Sequence, residues 1–142
     1  TLVGFFALSG GHHVQTTKAG GGVKAYHCLY NTVLQCVLGP VFPVQLHIYS
    51  LFNGLLLMDD SVAYVIVRAY IPPSIPCDPI LLEASDIVPF PGDPGSEKFK
   101  AAIPDCPWPF IFGVGTVTMH AVSLPDGVTK AFAVTSSDFM QD

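Results

Sequence analysis

The stretch from Val62 to Tyr70 contains the residue types best suited to holding a flat ligand. Alternate side chains of a β-strand point to opposite faces. One predicted face is small and apolar and consists of Ala63, Val65, Val67 and Ala69. The other face carries Tyr64, Arg68 and Tyr70, and Arg68 is the only arginine of the chain. Two phenols beside a guanidinium predict a stacking surface, and the alternative is an ordinary half-exposed sheet face.

Single-stranded nucleic acid is the first ligand that this face predicts. Stacking of a base on an aromatic ring contributes about 1–3 kcal/mol, and arginine adds a cation–π interaction. Nucleic-acid affinity also depends on phosphate neutralisation, yet the chain has six basic residues and a net charge of −5. We therefore expect a local site, to which Lys18 and Lys24 contribute the remaining positive charge.

A carbohydrate, bound as in a lectin, is the alternative ligand. A sugar ring stacks on the same aromatic side chains without a positive field, and the acidic balance suits it better. The single tryptophan, Trp108, stands between two prolines, and Asp93, Glu97 and Asp105 are near it in sequence. Polar residues beside an aromatic are equally typical of any Pro-rich surface loop.

Charge is distributed unevenly along the chain. The first 58 residues contain Lys18, Lys24 and four histidines but no carboxylate, whereas all 11 acidic residues follow from Asp59 onward. Such an asymmetry can orient a partner or a second copy, although small sheets also tolerate it by chance.

No spacing typical of catalysis or metal binding occurs. The four cysteines at 28, 36, 77 and 106 form no close pair of the zinc-binding kind. His12 and His13 are adjacent but have no carboxylate near them, and Gly113-x-Gly115 falls within a predicted strand. We expect a non-enzymatic binding module without metal or cofactor, and buried free thiols favour an intracellular, reducing compartment.

No apolar run approaches the roughly 18 residues that span a bilayer, so no membrane partner is predicted. The first residues also lack the basic flank of an intact signal peptide. The chain is expected to be a single β domain over residues 1–142, either a mature protein or a fragment of a longer chain.

Thirteen glycines, 13 prolines and few charged helix formers indicate an all-β protein. Alternation and turn signals predict one short helix, Glu97–Ile103, capped by Ser96 and ended by Pro104. The predicted strands are Thr1–Ser9, Val14–Thr17, Val23–Leu34, Val44–Phe52, Val62–Tyr70, Ile80–Val88, Phe110–Val122 and Val128–Thr135.

The order of these elements favours a small Greek-key barrel of the oligonucleotide/oligosaccharide-binding (OB) kind, with extra N-terminal strands. In that assignment three strands precede the loop–helix–loop segment and the hairpin of residues 110–135 follows it. Val62–Tyr70 is then the second of five strands, on the face where OB barrels bind ligands. A β-sandwich is the alternative.

Residues 44–142 contain scattered turn and glycine motifs, which are Leu81-Leu82-Glu83-Ala84, Pro89-Phe90-Pro91-Gly92, Pro104-Asp105-Cys106-Pro107, Gly113-Val114-Gly115-Thr116-Val117, Leu124-Pro125-Asp126-Gly127, Lys130-Ala131-Phe132 and Ser137-Asp138-Phe139. With these motifs the chain resembles an uncharacterised family of fungal (basidiomycete-type) hypothetical proteins with an OB-like strand pattern. The resemblance implies no activity and no catalytic residue, and it implies that relatives continue beyond Asp142.

Half of the residues are apolar, and a modest domain of this composition leaves some hydrophobic surface uncovered. The Phe-rich segment Leu2–Leu8 is predicted to be a pairing strand through which the chain forms a homo-oligomer. Self-assembly is therefore a further alternative for the function.

Overall fold

The computed structural model describes residues 1–17, 24–37, 39–50, 54–70 and 80–135. The chain divides into two units, Thr1–Ile111 and Phe112–Asp142. Five long strands of the first unit are β1 (Leu2–Thr17), β2 (Lys24–Gln35), β3 (Val41–Ser50), β4 (Ser61–Tyr70) and β5 (Ile80–Pro89). The helix α1 (Glu97–Ala102) and the short strand β6 (Phe110–Ile111) follow them.

The five long strands close into a barrel with the order β1-β2-β3-β5-β4 and back to β1. Strand β1 closes it by pairing with both β2 and β4, each time antiparallel. Only β3 and β5 run parallel, from Val44↔Ile80 to Ile48↔Ala84. The prediction of an all-β, OB-like barrel is therefore confirmed in preference to the sandwich.

The assignment of segments to the barrel was wrong in three respects. The strand containing Val62–Tyr70 is the fourth barrel strand and not the second, and α1 follows all five strands. Residues 1–17, which the sequence divides into two strands, form one continuous strand. The hairpin of residues 110–135 supplies no barrel strand: β6 pairs with Leu2 and Val3 outside the closed ring, and the remainder belongs to the second unit.

The interior of the barrel is filled by the alternating apolar residues of each strand. Val65 and Val67 on β4 are fully buried, as are Leu46 on β3 and Leu82 on β5. The other members of the core are Leu2, Phe6, Leu8, Cys28, Tyr30, Val44, Ala63 and Ile80. Small side chains on β4 suit the narrow interior of a five-stranded barrel.

Strand β1 bends at Gly10–Gly11, where its register to β2 shifts between Ser9 and His12. Gly10 has a φ of +62°, which glycine adopts without strain. Its N–H donates to Asp59 Oδ1 at 2.7 Å. A Cβ on Gly11 would lie 2.6 Å from the ring of Tyr30, so this ring packs directly on the bent backbone. The bend lets one strand pair with two neighbours.

Helix α1 begins as the sequence predicts. The Ser96 hydroxyl accepts a hydrogen bond from the Phe99 N–H at 3.2 Å, and Ile103 ends the helix. Phe99 is buried against Phe90, with ring centroids 5.6 Å apart. Among the described residues, no helix is long and apolar enough to cross a bilayer.

The second unit contains two short antiparallel ladders. Strand β7 (Thr116–Val117) pairs with β10 (Val134–Thr135), and β8 (Val122–Ser123) pairs with β9 (Lys130–Ala131). Asp126 stabilises the turn between β8 and β9, since its carboxylate accepts hydrogen bonds from the N–H groups of Val128 and Thr129 and from the Thr129 hydroxyl. These hydrogen bonds lower the pKa of Asp126.

Replacing Leu46 with Ala should lower the free energy of unfolding by about 2–5 kcal/mol, because it leaves a cavity in a fully buried site. Leu55→Ala is the matched control, since Leu55 is 98% exposed and its truncation should change stability by less than about 0.5 kcal/mol. Urea titrations of both variants measure the difference. Equal losses would contradict the described core.

Candidate functional site

Strand β4 has the two faces that its sequence predicts. Ala63, Val65 and Val67 are fully buried in the barrel, whereas Arg68 and the two tyrosines lie on the outside. Tyr64 is 39% exposed and Tyr70 is 48% exposed. The outer face of this strand is therefore available to a ligand.

The structure does not bring Tyr64 together with the other two residues. A strand rises about 3.3 Å per residue, which puts Tyr64 roughly 20 Å from Tyr70. The Tyr64 ring instead packs edge-on against Phe5, with centroids 5.4 Å apart, and Phe5 also contacts Phe90. Tyr64 thus belongs to an aromatic cluster outside the barrel, while Arg68 and Tyr70 form the candidate site.

Strand pairing extends this site across β5 to β3. Arg68 is opposite Glu83, and Glu83 is opposite His47. Two residues away on each strand and on the same face, Tyr70 is opposite Leu81, and Leu81 is opposite Gln45. We call this the outer β3–β5–β4 surface; its members are Gln45, His47, Tyr49, Arg68, Tyr70, Leu81 and Glu83.

Two polar atoms at the centre of this surface lack hydrogen-bond partners within the described structure. They are Nε2 of His47 and Oε2 of Glu83, and both atoms are buried. Burial lowers the pKa of His47, and the charge of His27 lowers it further, while Glu83 acts in the opposite direction. A neutral imidazole and a carboxylate with unused hydrogen-bonding capacity therefore lie side by side.

A cavity of about 200 Å³ opens at Glu83 and is lined by Arg68, Glu83, Ala84 and Ser85. Pockets that enclose whole small molecules are larger, about 300–1,000 Å³. The cavity can therefore admit part of a ligand that lies mostly on the open surface. The Ser85 hydroxyl is already engaged, donating to the Ile66 carbonyl at 3.1 Å.

The surface continues onto β2, whose outward residue His27 packs edge-on against Tyr49 at 6.1 Å. Tyr49 is 69% exposed. Strands β2 and β3 contain no carboxylate. Lys24 is the first residue of β2, opposite Thr17 on β1, and Lys18 lies outside the described residues.

Trp108 is distant in sequence from the strands of the candidate site and lies in the segment between α1 and β6. It is 36% exposed, and its carbonyl accepts a hydrogen bond from the Cys106 thiol at 3.8 Å. The next residue, Pro109, packs where a side chain of Gly4 would stand, 2.9 Å from the ideal Cβ position. The segment that contains Trp108 therefore packs against the start of β1.

The ring nitrogens of both adjacent histidines form hydrogen bonds with backbone carbonyls. His12 Nδ1 is 3.0 Å from the Gly10 oxygen, and His13 Nε2 is 2.8 Å from the Gly54 oxygen. Over the described ranges, no group of three or more His, Cys, Asp or Glu side chains is arranged to hold a metal ion.

Cys28, Cys36 and Cys106 carry free thiols, and of these only Cys28 is buried.

No family model, curated protein or solved structure matches this chain. The resemblance to fungal hypothetical proteins therefore stays a prediction, and the candidate site is argued from its geometry alone.

Sequence reasoning did not include His47 and Glu83 in the site. The alternation of β3 does put Gln45, His47 and Tyr49 on one face, but nothing local indicates which strand is adjacent. The parallel contact between β3 and β5 joins segments more than 30 residues apart, and only the closed barrel reveals it.

Replacing His47 with Gln should reduce the pH dependence of stability below pH 6.5. Because the folded chain lowers the pKa of His47 from 6.5, the unfolded chain binds its proton more readily. The contribution of the neutral His47 ring to the free energy of unfolding is complete above pH 6.5. It is lost as the pH falls from 6.5 through the lowered pKa of the folded chain. Urea denaturation at several pH values measures this, with His120→Gln, an exposed histidine, as the control. Parallel curves for wild type and His47→Gln would contradict it.

Proposed function

We propose that this chain is a non-enzymatic module that binds single-stranded nucleic acid on the outer β3–β5–β4 surface. One observation carries the proposal: the strand order of the barrel joins Arg68 and Tyr70 to the outward face of β3. OB barrels bind oligonucleotides on the face of their second and third strands. Arg68 and Tyr70 extend that face across β5.

The exposed rings support binding by stacking. Tyr49 and Tyr70 are 69% and 48% exposed, so each presents ring surface on which a base can stack. A base stacked on such a ring contributes about 1–3 kcal/mol, and every base has a face to stack. The proposed binding therefore depends more on aromatic contact than on charge.

Phosphate contacts are few in this proposal. Arg68, Lys18 and Lys24 together supply at most three positive charges. Each phosphate neutralised on a single strand changes the logarithmic salt slope by about −0.7. We expect a slope of about −2 at most, measurable but shallow.

Carbohydrate binding is the alternative on the same surface, because OB barrels also bind oligosaccharides. Glu83 and Gln45 offer acceptors for sugar hydroxyls beside the tyrosine rings. A sugar carries no phosphate, so its affinity should not change with salt.

Replacing Arg68 with Ala should weaken binding of a fluorescent oligothymidine of about 10 residues by about tenfold and make the salt slope shallower. Titrations near 50 mM and 200 mM salt give both values. Lys98→Ala is the control, since it removes one exposed positive charge from α1, away from the site. An equal effect of the two variants, or no binding by wild type at low salt, would contradict the proposal.

Self-assembly is a second candidate, favoured by the second unit. Nearly all of its described residues are exposed, among them Val114 at 92%, Val128 at 86% and Phe132 at 60%. Two-stranded ladders of this kind are marginally stable in water unless further strands cover them. The segment Leu2–Leu8 supports assembly less well, because Leu2, Phe6 and Leu8 are buried inside the barrel.

Light scattering at micromolar concentration should therefore give a mass of at least two chains. Val117→Lys, on β7, should shift the mass toward one chain, because it places a charge on the exposed ladder through which the second unit would contact another copy. Val88→Lys on β5 is the control, since Val88 is similarly exposed but lies on the barrel. A wild-type mass of one chain would contradict self-assembly.

A further inference from the structure

Glu83 and His47 occupy neighbouring positions on parallel strands, and each has an unsatisfied polar atom. Buried polar atoms in native proteins nearly always have hydrogen-bond partners, so two neighbouring atoms without one require an explanation. Neither is needed to hold the barrel, since its interior is apolar on both strands. We propose that these two residues select guanine in the bound strand, an inference that rests on the nucleic-acid function proposed above.

The position of Glu83 is suitable for contact with a base edge. It lines the cavity of about 200 Å³ together with Arg68 and lies between Arg68 and His47 in the sheet. A base stacked beside Tyr70 or Tyr49 can turn its edge toward this cavity. A small shift of the Glu83 side chain then brings its unused oxygen to the base.

The hydrogen-bonding pattern favours guanine over the other bases. The Watson–Crick edge of guanine presents O6, N1–H and N2–H in that order, so its two adjacent donors match the two oxygens of a carboxylate. His47 Nε2, in the tautomer that carries its proton there, donates to O6. Thymine has one N–H between two carbonyl oxygens, which a carboxylate repels, and adenine and cytosine each place an acceptor beside their single amino group.

The inference is tested with three oligothymidines of about 10 residues, in which the central base is thymine, guanine or hypoxanthine. Wild type should bind the guanine strand about tenfold more tightly than the all-thymine strand. Hypoxanthine lacks the N2 amino group, so its strand should bind with intermediate affinity. Glu83→Gln should remove the preference, so that the guanine and all-thymine strands bind with equal affinity, because an amide cannot accept from both adjacent donors of guanine. Glu97→Gln, on the exposed start of α1, should leave all three affinities unchanged.

The outcomes separate the two proposals. If wild type binds all three strands equally, or if Glu83→Gln keeps the guanine preference, the selection by Glu83 is wrong and nucleic-acid binding stands. If wild type binds none of the strands at low salt, both proposals fail. Thermal unfolding curves of Glu83→Gln that match those of wild type show that a lost preference does not result from unfolding.

Discussion

The double pairing of β1 is the constraint on which the rest of the structure depends. Its first half pairs with β4 and its second half with β2, and a closed ring follows only if one strand serves both. Gly10–Gly11 makes this possible by bending the strand where Asp59 and the Tyr30 ring meet it. Closure removes the exposed edges of the five-stranded sheet and encloses the apolar interior. It also brings β3 and β5 together in parallel, which creates the outer β3–β5–β4 surface.

That surface combines features that oppose each other electrostatically. Arg68 and the carboxylate-free strands β2 and β3 favour binding of an anion. Glu83, which lies on β5 opposite Arg68, disfavours it. A carboxylate beside an imidazole whose Nε2 has no hydrogen-bond partner is an unfavourable arrangement for an unspecific phosphate site. It is a suitable arrangement for a group that carries N–H donors. The proposed binding therefore depends on stacking and on contacts with base edges, with charge as a secondary contribution.

Local patterns predicted β2 to β5 and α1 well, because these patterns depend on side chains near one another in sequence. The long strands predicted at residues 110–122 and 128–135 are wrong, since the structure has only two-residue strands there. The faces of Val62–Tyr70 follow from strict alternation, and the start of α1 follows from the Ser96 cap. The strand order could not be predicted in this way, since the hairpin at residues 110–135 has the same local signals as a barrel strand pair. The separation of Tyr64 from Tyr70 follows from strand rise alone, whereas the approach of His47 to Glu83 requires the long-range β3–β5 contact.

The central claim is that the outward faces of β3, β5 and the end of β4 form the ligand site. Amide chemical shifts in a two-dimensional NMR titration with oligothymidine test it most directly. The account predicts that the largest shifts fall on residues 45–49, 68–70 and 81–85, with little change in α1. Shifts confined to the segment around Trp108 or to residues 112–135, or no shifts at low salt, would contradict it.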